Sequence, residues 1–220
     1  SFEKAEKIIQ SYDQLVVKPT ILTSTGNNVQ LHNKPYDLKK IDDLYKQNYT
    51  FQIPLKLHSE LQKLSSTAIN TIRINTILME DKAYAVSGLV KVGEEGKFAD
   101  NQGTQRYFIG IDKEGRLKDY GVNKKLYVMR ELPNGFDFAG LKVPNLDKIK
   151  KIAEEAHMEM PHFGMVFWDI VLQDNGEPVI LEANLRAPDM MFNQAALGPF
   201  FGEYTDSFME YFVKVRDKIR

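Results

Sequence analysis

The chain contains no cysteine, which removes at once a disulfide framework, a thiolate zinc site and any thiol nucleophile. It also lacks an excess of charge of either sign: 29 Lys and Arg stand against 30 Asp and Glu, a formal net charge of -1. No global field draws it toward nucleic acid or an anionic membrane, so any anion it binds must be gripped locally. No apolar run approaches the roughly 20 residues that a membrane-spanning helix needs, and no signal-like segment opens the sequence, which suits a reducing cytoplasm. The four histidines, at 32, 58, 157 and 162, have neither zinc-like spacing nor a defensible catalytic-triad order. Ser1 stands where an initiator methionine is usual and helical spacing begins immediately, so we expect an excised or processed piece.

What is present is enough apolar material for a real core: 43% of the 220 residues are hydrophobic and 11% aromatic. Phe2, Ala5, Ile8 and Ile9 recur at helical spacing before an apolar strand over 14–19, which Pro19 closes. A Thr, Ser, Gly and Asn-rich loop follows, then helical spacing with Leu38, Ile41, Leu44 and Tyr45 on one face predicts a helix over 37–49. Beyond a linker over 51–64, strands are expected over 71–78, 83–92 and 106–111, with more extended structure over 117–129 interrupted at Gly121 and Asn123. A helix over 146–157, a hairpin of strands 164–172 and 178–183 around Asn175-Gly176, and a last helix over 204–218 complete the reading. A small strand-helix unit ahead of an antiparallel sheet with helices is an α+β fold, divided into a small lobe over 1–55 and a larger one over 56–220.

Polar residues interrupt two apolar strands of the C-terminal hairpin. Glu182 and Asn184, two apart on an extended chain, leave the same face roughly 7 Å from each other. Asp169 comes from the neighbouring strand. Three hard oxygen ligands of this kind suit magnesium, which takes one or two carboxylates and leaves positions for substrate phosphates; two ions about 4 Å apart could share Glu182. The blander reading pairs the carboxylates with Lys or Arg at the sheet's end.

Two further features point to phosphate. Lys18 ends a buried strand ahead of the small-residue run Thr23-Ser-Thr-Gly-Asn-Asn28, which offers an ammonium and backbone N-H groups but no Walker pattern. Arg73 lies in a strand interior with Lys91 and Asn101 further along the meander. An interior arginine needs an anionic partner, either a triphosphate or acyl phosphate held bidentately or a buried carboxylate. Arg186 faces either a substrate carboxylate or solvent. The aromatic group Phe192, Phe200, Phe201, Tyr204, Phe208, Tyr211 and Phe212 reads as core or interface, since no basic residues are interleaved with it for nucleic acid.

In this order the features resemble the ATP-grasp superfamily, and within it the sugar-transfer-associated group found with bacterial surface-polysaccharide genes. The resemblance is carried by VVKP at 16–19, FQIPLKLHSEL at 51–61, AINTIRI at 68–74, VKVGEEGKFADNQG at 90–103, LPNGFDFAGLKVP at 132–144, WDI at 168–170 and LEAN at 181–184. It implies ATP held between two lobes, with Lys18 and Asn101 on the nucleotide and the chain at Gln52, Ile53 and Leu55 against adenine. It further implies Arg73 and Lys91 at the reacting phosphate, Arg186 toward substrate, and Mg2+ on Asp169, Glu182 and Asn184. The implied reaction is ligation, in which a small carboxylate substrate is activated as an acyl phosphate and attacked by an amine or similar acceptor. A nucleotide-binding scaffold without ligase activity and a phosphotransferase acting on a hydroxyl remain open on the residues alone, as does the oligomeric state. The resemblance also leads us to expect a further N-terminal lobe upstream of Ser1.

Overall fold

A computed structural model describes residues 2–20, 28–46, 48–97, 105–185 and 190–219. The α+β expectation holds. Helix α1 (Phe2–Ile9) leads into strand β1 (Gln14–Pro19), which lies at the centre of a three-stranded antiparallel sheet between β2 (Gln30–Asn33) and β3 (Tyr49–Gln52). Helix α2 (Leu38–Tyr45) packs Ile41 and Tyr45 on Val17 to form a small core of its own.

The helix expected over 37–49 stops at Tyr45 instead. Asp37 caps its start through a side-chain bond to the amide of Lys40, and Lys46 ends it in a left-handed conformation (φ 50°), its N-H returning to Asp42 O. Tyr49 keeps the four-residue spacing to Tyr45 that mimics a helical stripe, but it opens β3, and its ring packs on Tyr45 from the strand. A ring pair four residues apart can be made across a tight reversal as well as along a helix.

The linker expected over 51–64 includes the end of β3 and a single helical turn, α3 (Ser59–Gln62). It is fastened to the larger sheet where His58 N donates to Leu172 O and Asp174 N donates to Lys56 O. That sheet has seven antiparallel strands in the order β10 (Pro178–Asn184), β9 (Met165–Leu172), β4 (Thr71–Met79), β5 (Lys82–Gly93), β6 (Arg106–Ile111), β7 (Leu117–Asn123), β8 (Val128–Met129). Gly121 does not interrupt extended structure as expected; it lies inside β7. A Cβ there would sit 2.9 Å from the carbonyl oxygen of Phe108 on β6, so the glycine permits a close approach of the two strands.

The two faces of the large sheet have different jobs. On one face Ile72, Ile74, Val90, Val92, Trp168 and Ile170 build the main core against helix α4 (Leu146–Met158), whose Ile149, Ala153 and His157 are fully buried. Alternation along each strand sends the intervening residues to the opposite face. There helix α5 (Met190–Leu197), which periodicity did not suggest, covers Leu89, Phe108 and Val122 with Ala196 and stacks Phe192 on Phe108 at 4.4 Å. Gly198, at φ +95°, ends α5 by returning its N-H to Gln194 O. A short 3-10 turn at Gly202–Tyr204 and helix α6 (Thr205–Ile219) close the chain, with Phe201 stacked on Phe208 and edge-on to Phe200. The expected core role of Phe192 and Phe200 is thus met, while Phe212 is exposed.

Candidate functional site

The face beside α5 carries an unusual row of buried polar groups. Arg73 on β4 and Asp169 on β9 are register partners. Their side chains form a two-pronged pair, Nε to Oδ1 and Nη2 to Oδ2, both at 2.8 Å. Lys91 on β5 reaches the same carboxylate, Nζ to Oδ2 at 2.9 Å. All three are buried, 7%, 4% and 4% exposed for Arg73, Lys91 and Asp169. Burial alone pushes the Asp169 carboxyl up, but Lys91 and Arg73 overcome it and hold the group at about 2. The acid is therefore ionised whenever the chain is folded at ordinary pH, held between two basic side chains.

Two irregularities in the sheet assemble this row. Following the β9–β10 turn, Leu172 faces Pro178 and Ile170 faces Ile180; the register then shifts so that Glu182, not Leu181, faces Asp169. The bulge at Leu181 turns Glu182 and Asn184 onto the face of Asp169. Asn184 Nδ2 contacts Phe167 O at 3.3 Å and Asp169 Oδ2 at 3.4 Å. A second shift between Asn75 and Thr76, opposite Val86, sets Lys91 across from Thr71 instead of Asn70. Lys91 is thereby on the same face as Arg73.

A metal would find hard oxygen donors here: the exposed carboxylate of Glu182, the amide oxygen of Asn184 and, between them and the cations, Asp169. Among the described residues no cluster of three or more His, Cys, Asp and Glu occurs. Two carboxylates and an amide are a donor set that magnesium accepts when phosphates complete its shell. The chemistry of the donors fits, with the qualification that both oxygens of Asp169 are engaged by cations in this arrangement.

A family model described as sugar-transfer associated ATP-grasp matches residues 1–201. The chain belongs to that family. The ATP-grasp fold is seen in the solved structures as well: the ATP-grasp ligase PsnB with a minimal precursor aligns with a TM-score of 0.53 at 14% identity, covering 96% of this chain and 52% of PsnB. PsnB with minimal precursor, Mg and ADP gives 0.51 at 12% identity, covering 96% and 50%. Likeness at such identity concerns the fold alone, and this ATP-grasp chain spans about half the length of PsnB. No curated protein matches the sequence.

Arg73, Lys91, Asp169, Glu182 and Asn184, read separately along the ATP-grasp sequence, therefore share one sheet face. Lys18, half-buried in β1, and Gln52, at the end of β3, belong to the small sheet. Ile53 is exposed, whereas Leu55 packs against the main core. Among the described residues none of these four hydrogen-bonds the Arg73–Asp169–Lys91 cluster. Asn101 and Arg186 lie outside the described residues.

The sequence reading passed over two polar supports. Asn75, fully buried on the same face, donates through Nδ2 to Asn193 Oδ1 at 2.8 Å and to Ser87 Oγ at 2.9 Å, tying α5 to the sheet one pleat from Arg73. The available signal was an asparagine two residues from an interior arginine in an apolar strand. Glu95, just beyond Lys91's strand, accepts from Ser65 Oγ, Ser66 N and Ser66 Oγ at 2.6 to 3.1 Å, and these donors hold its carboxyl below the usual range. Nothing in the spacing of a surface Glu-Glu-Gly turn marks that clasp.

Proposed function

We propose that this chain supplies the phosphate and metal end of an ATP- and Mg2+-dependent ligase, which activates a small carboxylate as an acyl phosphate for attack by an amine or similar nucleophile. The observation that carries the reading is the convergence of Arg73, Lys91, Asp169, Glu182 and Asn184 on one face of adjacent strands. Membership of an ATP-grasp family supports it. So does the likeness to a chain named as an ATP-grasp ligase and solved with Mg and ADP.

In this reading Arg73 offers a planar fork and Lys91 a point charge to the transferring phosphoryl group, both already desolvated and held in place. Glu182, Asn184 and Asp169 would hold Mg2+, which when bound neutralises charge on the phosphates. Transfer of this type is achieved mainly by positioning and charge neutralisation, so the chain needs no nucleophilic side chain of its own. Lys18 and the chain at Gln52, Ile53 and Leu55 belong to the nucleotide's other end, with residues 1–55 acting as the covering lobe. Asn101 and Arg186 are assigned to nucleotide and acid substrate respectively. The family's description as sugar-transfer associated supports a place in surface-polysaccharide biosynthesis, and ATP as co-substrate fits a cytoplasmic site of action.

The test is direct. ATP should raise the melting temperature of the full gene product only with magnesium present, and Glu182→Gln should abolish the magnesium-dependent part. ADP release across a panel of carboxylates and amines then identifies the reaction; ATP binding without ADP release, or a phosphorylated hydroxyl product, would replace the ligase reading.

A further inference from the structure

Strand β5 feeds the main core in two stretches that a regular strand cannot combine. Ala85 packs on that core, and so do Val90 and Val92, although 85 and 90 differ by an odd number and plain alternation would send them to opposite faces. One extra residue, Val86, reverses the parity: Ala85 pairs with Thr76 and Ser87 with Asn75. Without it Lys91 would turn to the face of Ile72 and Trp168, away from Arg73 and Asp169. Parity alone does not say where the extra residue sits. Any position between Ala85 and Val90 would serve, and Gly88 is the one at which a strand bulges most readily. A bulge there would break the ladder beside the pair Arg73–Leu89, in the middle of the polar row.

A side chain from another element fixes the bulge at Val86. Among the described residues β6 pairs with β5 only over Leu89–Gly93, so at Ala85 the strand has β4 on one side and no strand on the other. There the amide of Ala85 donates to Glu154 Oε1 at 2.8 Å, across 69 residues of sequence. Glu154 is half-buried on α4, next to Ala153, which is fully buried with Ile149 and His157. The carboxylate is thus carried on a helix that core packing holds still. We infer that Glu154 is a positioning residue for the site: by taking the amide beside the bulge it keeps the extra residue at Val86, and so keeps Arg73 and Lys91 on an unbroken stretch of ladder. It acts through β5 and needs no contact with nucleotide or metal. This role rests on the ATP and Mg2+ reading above and adds to it a residue from the opposite side of the sheet. The blander alternative is an edge amide that merely finds an acceptor, as nearly all buried amides do; it predicts a loss of stability and no change at the site.

The two are separated by the dissociation constant of ATP with Mg2+, measured by titration calorimetry on the full gene product. Glu154→Met keeps the length of the side chain and removes the acceptor; it should weaken ATP binding about fivefold, the equivalent of one net hydrogen bond. Glu154→Gln retains an oxygen acceptor and should stay within about twofold of wild type. Thr76→Val, which orphans buried groups on the same side of the sheet, should lose stability with no change in ATP affinity, so that a loss in Glu154→Met is not a by-product of destabilisation. The deciding member is deletion of Val86. It leaves Ala85 opposite Thr76 and Ser87 opposite Asn75 in plain register, with no extra residue to hold, so in that background Glu154→Met should weaken ATP by less than about twofold. Glu154→Asp, one methylene short, takes its place if Glu154→Met does not fold, and should show a smaller loss of the same sign. Wild-type ATP affinity in the folded variant, or an equal loss with and without Val86, overturns the positioning role and leaves the ligase reading standing. So does loss of ATP binding in the Val86 deletion by itself. If wild type does not bind ATP with Mg2+, both fall.

Discussion

Arg73 and Asp169 sit directly opposite each other on β4 and β9, 96 residues apart in sequence, and close two hydrogen bonds of 2.8 Å in the protein's interior. A pair so buried is poor evidence for stability in itself, because desolvation of both ions offsets most of their attraction. Its geometry makes the alternatives separable. Asp169→Asn takes the carboxylate from the buried Arg73 and Lys91 side chains and should cost about 3–5 kcal/mol. The triple change Arg73→Met, Lys91→Met, Asp169→Leu removes the charges together and should recover most of that loss, as apolar replacement of buried ion clusters commonly does, yet abolish ATP binding. Urea midpoints and ATP-induced melting shifts on wild type and these two variants decide it. If the triple variant still binds ATP with magnesium, the cluster is structural only.

The pH dependence of Asp169 has a definite sign. Its folded-state value, about 2, lies below the ordinary 3.8, so the folded state binds fewer protons than the unfolded chain in that interval. The stability from this group is complete above about pH 4 and is lost as the pH falls toward 2. Wild type should lose more stability than the triple apolar variant between those values, and the two should run parallel above pH 5. Urea midpoints taken every half unit would show it, and curves that stay parallel down to pH 2 would contradict the assignment.

On the other face of the sheet, Thr76 joins two buried groups. Its Oγ1 accepts from Trp168 Nε1 at 2.8 Å and lies 2.7 Å from His157 Nδ1, while His157 Nε2 lies 2.8 Å from Phe163 O. A carbonyl only accepts, so Nε2 carries the proton and Nδ1 accepts from the threonine hydroxyl. Thr76→Val keeps the shape and orphans two buried groups, an expected cost of about 1–3 kcal/mol with no effect on Mg-dependent ATP binding. Burial, opposed by the bond to Phe163, depresses the His157 value below its ordinary 6.5. The unfolded chain therefore takes up a proton that the folded one refuses, and stability should fall as the pH drops through 6.5. His157→Asn should remove that slope in a pH series of melting temperatures.

The sequence made the strands and the chemistry-bearing residues legible for a simple reason: apolar alternation with a polar exception is visible in one dimension. Arg73, Asp169 and Glu182 each stand out against an apolar strand. What one dimension hid was register. Glu182 and Asn184 share a face by spacing alone, but whether that face is the one carrying Asp169 depends on a single extra residue, Leu181; for Lys91 it depends on Val86. Helix α5 was missed because its residues are apolar nearly all round, which blurs a 3.6-residue period. The helix expected over 37–49 overshoots because the left-handed turn that ends it falls on Lys46, where neither glycine nor proline marks a stop.

The dependence on register yields the sharpest prediction. Deleting Leu181, 36% exposed at the bulge, would extend the regular pairing of Ile170 with Ile180, and Glu182, now next after Ile180, would face Asp169 by plain register. The residue count from the turn would then require no shift, so Glu182 and Asn184 should stay on the site face and Mg-dependent ATP binding should survive. Replacing the bulge by its opposite is the damaging change: an extra alanine between Leu181 and Glu182 moves both polar residues to the face of Trp168, where a carboxylate has no partner. Backbone strain at a bulge is small compared with burying an unpaired charge, so the insertion should lose the magnesium-dependent melting shift and the deletion should keep it. Equal loss in both would mean that the bulge itself, and not the face it selects, is what the site requires.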